Sequence, residues 1–148
     1  LAPLVAALFV LLVAGIGSAI VTPPAALAAA APGGTSTRWQ PWSEPQVAAL
    51  TASGQPVFVD FTAAWCVTCQ VNKKTTLSNS GVLADFDSRK VALLRADWTR
   101  RDPAITAALA ALGRNGVPVY VLYRPGQTPL VMTEILTPGE VRAALATL

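Results

Sequence analysis

The only two cysteines of this 148-residue chain stand in Trp65-Cys66-Val67-Thr68-Cys69, and the chain has no histidine. Two thiols at this spacing have three common uses. Zinc needs four ligands, usually Cys or His, so these two thiols would leave a metal half-bound without a second chain. A structural disulfide enclosing two residues removes little chain entropy and stabilises weakly. The third use is redox: the pair trades a dithiol for a disulfide and moves electron pairs between sulfur atoms. On that reading no metal and no other cofactor is required, because the Cys66–Cys69 pair is the redox group.

Position assigns the roles. At a helix start, free backbone N–H groups and the helix dipole favour a thiolate, so Cys66 is expected at an exposed first turn as the attacking sulfur. Cys69 lies one turn inward and is expected to be more buried, resolving the mixed disulfide. Asp60 interrupts the apolar run Val57-Phe58-Val59-Asp60-Phe61 just ahead of the motif. If buried, its raised pKa suits it to accept the Cys69 proton; the alternative is that strand alternation turns it outward. In Gly116-Val117-Pro118-Val119 the proline opens an apolar strand. It is either a strand-entry proline or a cis Val117-Pro118 bond.

These groups need a framework, and one is legible. Ser43 caps a helix with Pro45 in its first turn, ended by Gly54. Pro56 to Phe61 reads as a strand, and Cys66 to about Lys74 as a helix. A short helix follows near Val82 to Phe86, then a strand from Val91 to Ala96. Asp102-Pro103 starts a helix that Gly113 stops. Val119 to Tyr123 and Leu130 to Ile135 form a hairpin about the turn Arg124 to Gln127. Thr137 and Glu140 match a capping box for a last helix. The alternation predicts an α/β fold with a mixed central sheet and helices on both faces.

Composition places this domain along the chain. Apolar residues make up 53% and charged residues 13%, against about 25% charged in an average soluble domain. The first charged residue is Arg38, and the run LAPLVAALFVLLVAGIGSAIV precedes it. Its length and uncharged character predict one transmembrane helix over 1–22, followed by a Pro/Gly/Ala-rich linker over 23–41 and a compact domain over 42–148. A signal peptide lacks support because no basic n-region is present, and a buried soluble helix is weakened by Gly15 and Gly17. The opening Leu1 fits an expectation that the sequence is part of a longer protein. A net charge of +3 without a basic block gives no reason to expect nucleic acid as a partner.

Val59-Asp60-Phe61, Trp65-Cys66-x-x-Cys69 and Gly116-Val117-Pro118 together resemble the thioredoxin superfamily. The resemblance covers about Trp42 to Leu148 and implies a thioredoxin-like three-layer fold. It further implies a cis Pro118 facing the cysteines, Asp60 as a buried proton acceptor, and Trp65, Val117 and Pro118 as the surface where a partner binds. Phe61 to Cys69, with Val67-Thr68 between the cysteines, is similar to the C-terminal periplasmic domain of the DsbD family of thiol:disulfide interchange proteins. Val91 to Thr99 resembles that domain's second strand and its exit. This likeness implies a domain tethered at the bacterial inner membrane and facing the periplasm. It would accept electrons from a preceding membrane segment and reduce disulfides of extracytoplasmic proteins or of a partner thioredoxin-like domain. Two other readings are a single-helix-anchored thioredoxin-like protein for cytochrome c maturation or disulfide oxidation, and a redox-inert binding module. One departure stands out: relatives often carry an acid four residues after the second cysteine, where this chain has Lys73. Lys73 is therefore a candidate modulator that would make the Cys66 thiol more acidic.

Overall fold

The computed structural model describes residues 38–148. The membrane helix expected over 1–22, and the linker as far as residue 37, lie outside the described residues. Among the described residues no helix is long and apolar enough to cross a membrane.

Five strands and five helices build the domain: β1 (Gln40–Pro41), α1 (Glu44–Ala52), β2 (Val57–Thr62), α2 (Val67–Thr75), α3 (Ser80–Ser88), β3 (Ala92–Asp97), α4 (Pro103–Ala111), β4 (Val119–Tyr123), β5 (Leu130–Val131) and α5 (Pro138–Leu145). The sheet order is β1-β3-β2-β4-β5. β1 and β2 run parallel to β3, whereas β4 runs antiparallel to β2 and β5 antiparallel to β4. The expected mixed sheet is present.

β2 is central, and every one of its six residues is buried. Its side chains therefore divide between two cores. Val57, Val59 and Phe61 pack with Val119 and Val121 of β4, Val47 of α1, and Ile105 and Leu109 of α4. Phe58 points the other way, among Tyr120, Leu122, Val82 and Phe86 of α3, and Val141 and Leu145 of α5. Helices thus cover both faces, giving three layers. This two-sided burial is why Asp60 cannot turn to solvent as an alternating edge strand would allow.

Caps set the helix starts. Ser43, Asn79, Asp102 and Thr137 each accept a first-turn backbone N–H, as Cys66 Sγ does for α2. Three differences from the sequence reading have physical causes. Gln40 and Pro41, placed in the linker above, form β1 on the sheet edge, held by Trp39 against Phe58 and Trp42 against Phe61. The strand expected to reach Ile135 stops at Val131. Beyond it the Glu140 carboxylate accepts from Thr133 N at 2.8 Å and Thr133 Oγ1 at 2.7 Å, drawing the chain out of the ladder. That use of Glu140 also leaves only half of the expected capping box: Thr137 Oγ1 accepts from Glu140 N at 3.2 Å.

Candidate active site

Strand register brings the candidate residues to one end of the sheet. Phe61 of β2 lies opposite Val119 of the antiparallel β4, so the chain leaving β2 meets the chain entering β4. Thr62 lies opposite Asp97 of the parallel β3, which delivers the loop after β3 to the same end. Ala63, Cys66 and Cys69 form a small buried cluster there, with Val117 packed against it. The Val117-Pro118 peptide is cis.

Cys66 and Cys69 are joined by a disulfide, with Cα atoms 5.3 Å apart. Cys66 caps α2: its Sγ accepts from Cys69 N at 3.2 Å, so the sulfur sits where the helix presents a free N–H. That donor would stabilise negative charge on Cys66 once the bond is reduced. Cys66 is 7% exposed and Cys69 0%. The order matches expectation, but Cys66 is far less open than a free first turn would be, because Val117 and Ala63 close over the pair.

Asp60 is buried, and desolvation pushes its carboxyl above the usual range while Arg95 and Lys73 pull it back. Arg95 Nε donates to Asp60 Oδ2 at 2.9 Å. The other oxygen, Oδ1, is buried with no hydrogen-bond partner, as is Thr62 Oγ1 two residues along the same face of β2. No hydrogen bond joins Asp60 to either cysteine. Lys73 lies on the facing helix, half-buried, and burial lowers its pKa while Asp60 and Asp97 oppose that shift. Its charge acts on the Asp60 carboxylate. Helix α2 is held in place by Asn72, whose Nδ2 donates to Tyr120 Oη at 2.9 Å and to Glu134 O at 2.8 Å. Burial raises the Tyr120 pKa well above its ordinary value, so its hydroxyl stays neutral.

Trp65 is 51% exposed and forms the rim. The loop after β3 fixes it: Trp65 Nε1 donates to Thr99 O at 3.1 Å, and Ala64 N to Thr99 Oγ1 at 2.8 Å. Thr99 in turn donates to Asp97 Oδ1 through its backbone N at 2.9 Å. Arg101 lies over the Trp98 ring at 4.8 Å and the Trp65 ring at 5.5 Å. A groove of about 540 Å³ is lined by Val117 together with Arg114, Gly116 and Glu134.

Sequence reasoning placed Cys66, Cys69, Trp65, Val117 and Pro118 at one site and left open whether Asp60, buried here, turned inward or outward. It missed Arg95 and Thr99. A signal for Arg95 was present: it is the lone charge inside the apolar run Val91 to Ala96, as Asp60 is in its own strand. Thr99 had none, because its hydroxyl matters only through the loop's path.

Comparison with known proteins fits this arrangement. Thiol:disulfide interchange protein DsbD 1 of Pseudomonas aeruginosa is 29% identical over 120 residues, 78% of this chain and 20% of that protein. Thiol:disulfide interchange protein DsbD of Ralstonia nicotianae is 35% identical over 77 residues, 52% of this chain and 12% of that protein. This chain thus spans a fifth or less of these relatives' length. The crystal structure of the oxidised Neisseria meningitidis DsbD c-terminal domain matches with a TM-score of 0.57 and 20% identity, over 71% of this chain and 97% of that one. A family profile described as Thioredoxin-like matches residues 38–125, well over half of the sequence. With its fold and its cysteine pair in place, the chain belongs to the thioredoxin-like family.

Proposed function

We propose that this domain is a thiol:disulfide oxidoreductase that accepts electrons from a membrane segment and reduces disulfides of extracytoplasmic partner proteins. The observation that carries the reading is the Cys66–Cys69 disulfide at the N-terminus of α2, with Val117 packed against it. The similarity to DsbD proteins and the apolar run over 1–22 support an inner-membrane tether with the domain in the periplasm. A partner thioredoxin-like domain is one class of substrate this reading admits.

The chemistry starts from the dithiol. The Cys66 thiolate attacks one sulfur of the partner disulfide, and the other partner sulfur leaves and takes a proton. Asp60, through intervening solvent, accepts the proton of Cys69. The Cys69 thiolate then attacks Cys66 Sγ and expels the second partner sulfur. That sulfur takes the proton Asp60 held, and the first took one from solvent in place of the proton Cys66 had released, so two electrons and two protons have passed to the partner and the Cys66–Cys69 disulfide has closed. Trp65 and Val117 border the attacking sulfur, and Val117 offers backbone groups to an extended partner segment.

The test presents the reduced chain to a disulfide-bearing protein. Wild type is expected to reduce it fully. Cys69→Ser should stall as a covalent mixed disulfide through Cys66, and Cys66→Ser should do neither. Undiminished reduction by Cys66→Ser would refute the reading.

A further inference from the structure

Asp60 is tied to a partner on the neighbouring strand β3. Arg95 sits opposite Asp60 in the β2–β3 register and donates Nε to Oδ2 at 2.9 Å. Its guanidinium also lies 4.4 Å from the centroid of the Trp39 ring. Trp39 directly precedes β1, where Gln40 and Pro41 pair with Leu94 and Arg95 of β3. A continuous series of contacts thus runs from Trp39, through Arg95, to the buried Asp60 carboxylate.

We propose that Arg95 is a positioning residue for the exchange reaction, holding Asp60 by Oδ2 so that Oδ1 remains the proton-accepting oxygen, and that Trp39 holds Arg95 in that pose. The proposal rests on the exchange reading above. Geometry supports the division of labour. Oδ1 is buried and unpartnered, whereas Oδ2 is committed to Arg95. The Arg95 side chain is 31% exposed and Asp60 is fully buried, so the guanidinium is the route by which charge at the surface reaches the interior. The charged and titratable groups facing Asp60 are Arg95 from β3, Lys73 from α2 and the Tyr120 hydroxyl from β4. Among the described residues only Arg95 is hydrogen-bonded to it. Arg is suited to the task, since its planar guanidinium stays charged and stacks on an indole while donating to a carboxylate.

The experiment follows single-turnover reduction of a disulfide-bearing protein by the reduced full chain across pH, reading the resolution of the mixed disulfide by Cys69. Losing an opposite charge at this distance moves a carboxyl by about 1–3 pH units. Arg95→Gln should shift the acid limb of the profile upward by that order, with Arg95→Lys restoring part of it. Trp39→Leu should give a smaller shift in the same direction. In an Asp60→Asn background, Arg95→Gln should move nothing further. A limb unmoved by Arg95→Gln, in a chain whose folding is confirmed by circular dichroism, would overturn the proposal. So would an equal shift in the Asp60→Asn background. The exchange reading fails separately, by Cys66→Ser retaining activity.

Discussion

At the scale of residues, Asp60 is the costly element of the site. Its ionised form is disfavoured by burial, and one oxygen lacks a partner. A carboxyl whose folded pKa lies above its ordinary value of 3.8 binds its proton more tightly when folded. As pH rises through that ordinary value the unfolded chain releases the proton first, so stability falls until the folded carboxyl has also ionised. Asp60→Asn removes this loss, and Arg95, being partly exposed, can rehydrate. The variant should match wild type closely at acid pH and exceed it at neutral pH, because it has no buried charge to form. Urea unfolding at a series of pH values checks this. Parallel curves for the two proteins would mean that the carboxylate carries no penalty. Lys73 belongs to the same picture: its charge acts on Asp60 and Asp97.

At the scale of elements, the caps do the local work. Asp102 Oδ1 accepts from Ala104 N at 2.8 Å and Ile105 N at 3.1 Å, starting α4, whose Ile105 and Leu109 cover one face of β2. Asp102→Ala should cost about 1 kcal/mol, read as a lower urea midpoint with an unchanged slope; a cost near zero would show that packing alone sets the start of α4. Elements with such signals were legible. Ser43, Asp102 and Thr137 announced three helices, and Gly113 and Gly126, both at positive φ, marked a helix end and a turn. β1 was not legible, because two residues pairing with β3 carry no period and draw their support from Trp39 and Trp42 on distant phenylalanines. The early end of β5 escaped for a related reason: the Glu140–Thr133 bonds join residues of two elements. Asp60 showed itself as a charge in an apolar strand. Its pairing with Arg95 depends on β2–β3 register, which neither strand encodes by itself.

At the scale of the whole domain, the mixed sheet explains why the site lies where it does. One parallel and one antiparallel neighbour of β2 deliver the loop after β3 and the start of β4 to the end where β2 hands over to α2. Trp65 and the disulfide therefore meet cis Pro118 although that proline lies far along the sequence from them. The central claim is that this meeting makes Cys66 an activated nucleophile and Cys69 its protected partner. Alkylation of the reduced chain against pH, with each modified cysteine identified by mass, tests it most directly. Cys66 should react first and with a pKa below about 8.5, the free-thiol value, while Cys69 stays slow; a Cys66 pKa at or above that value, or faster modification of Cys69, would contradict the account.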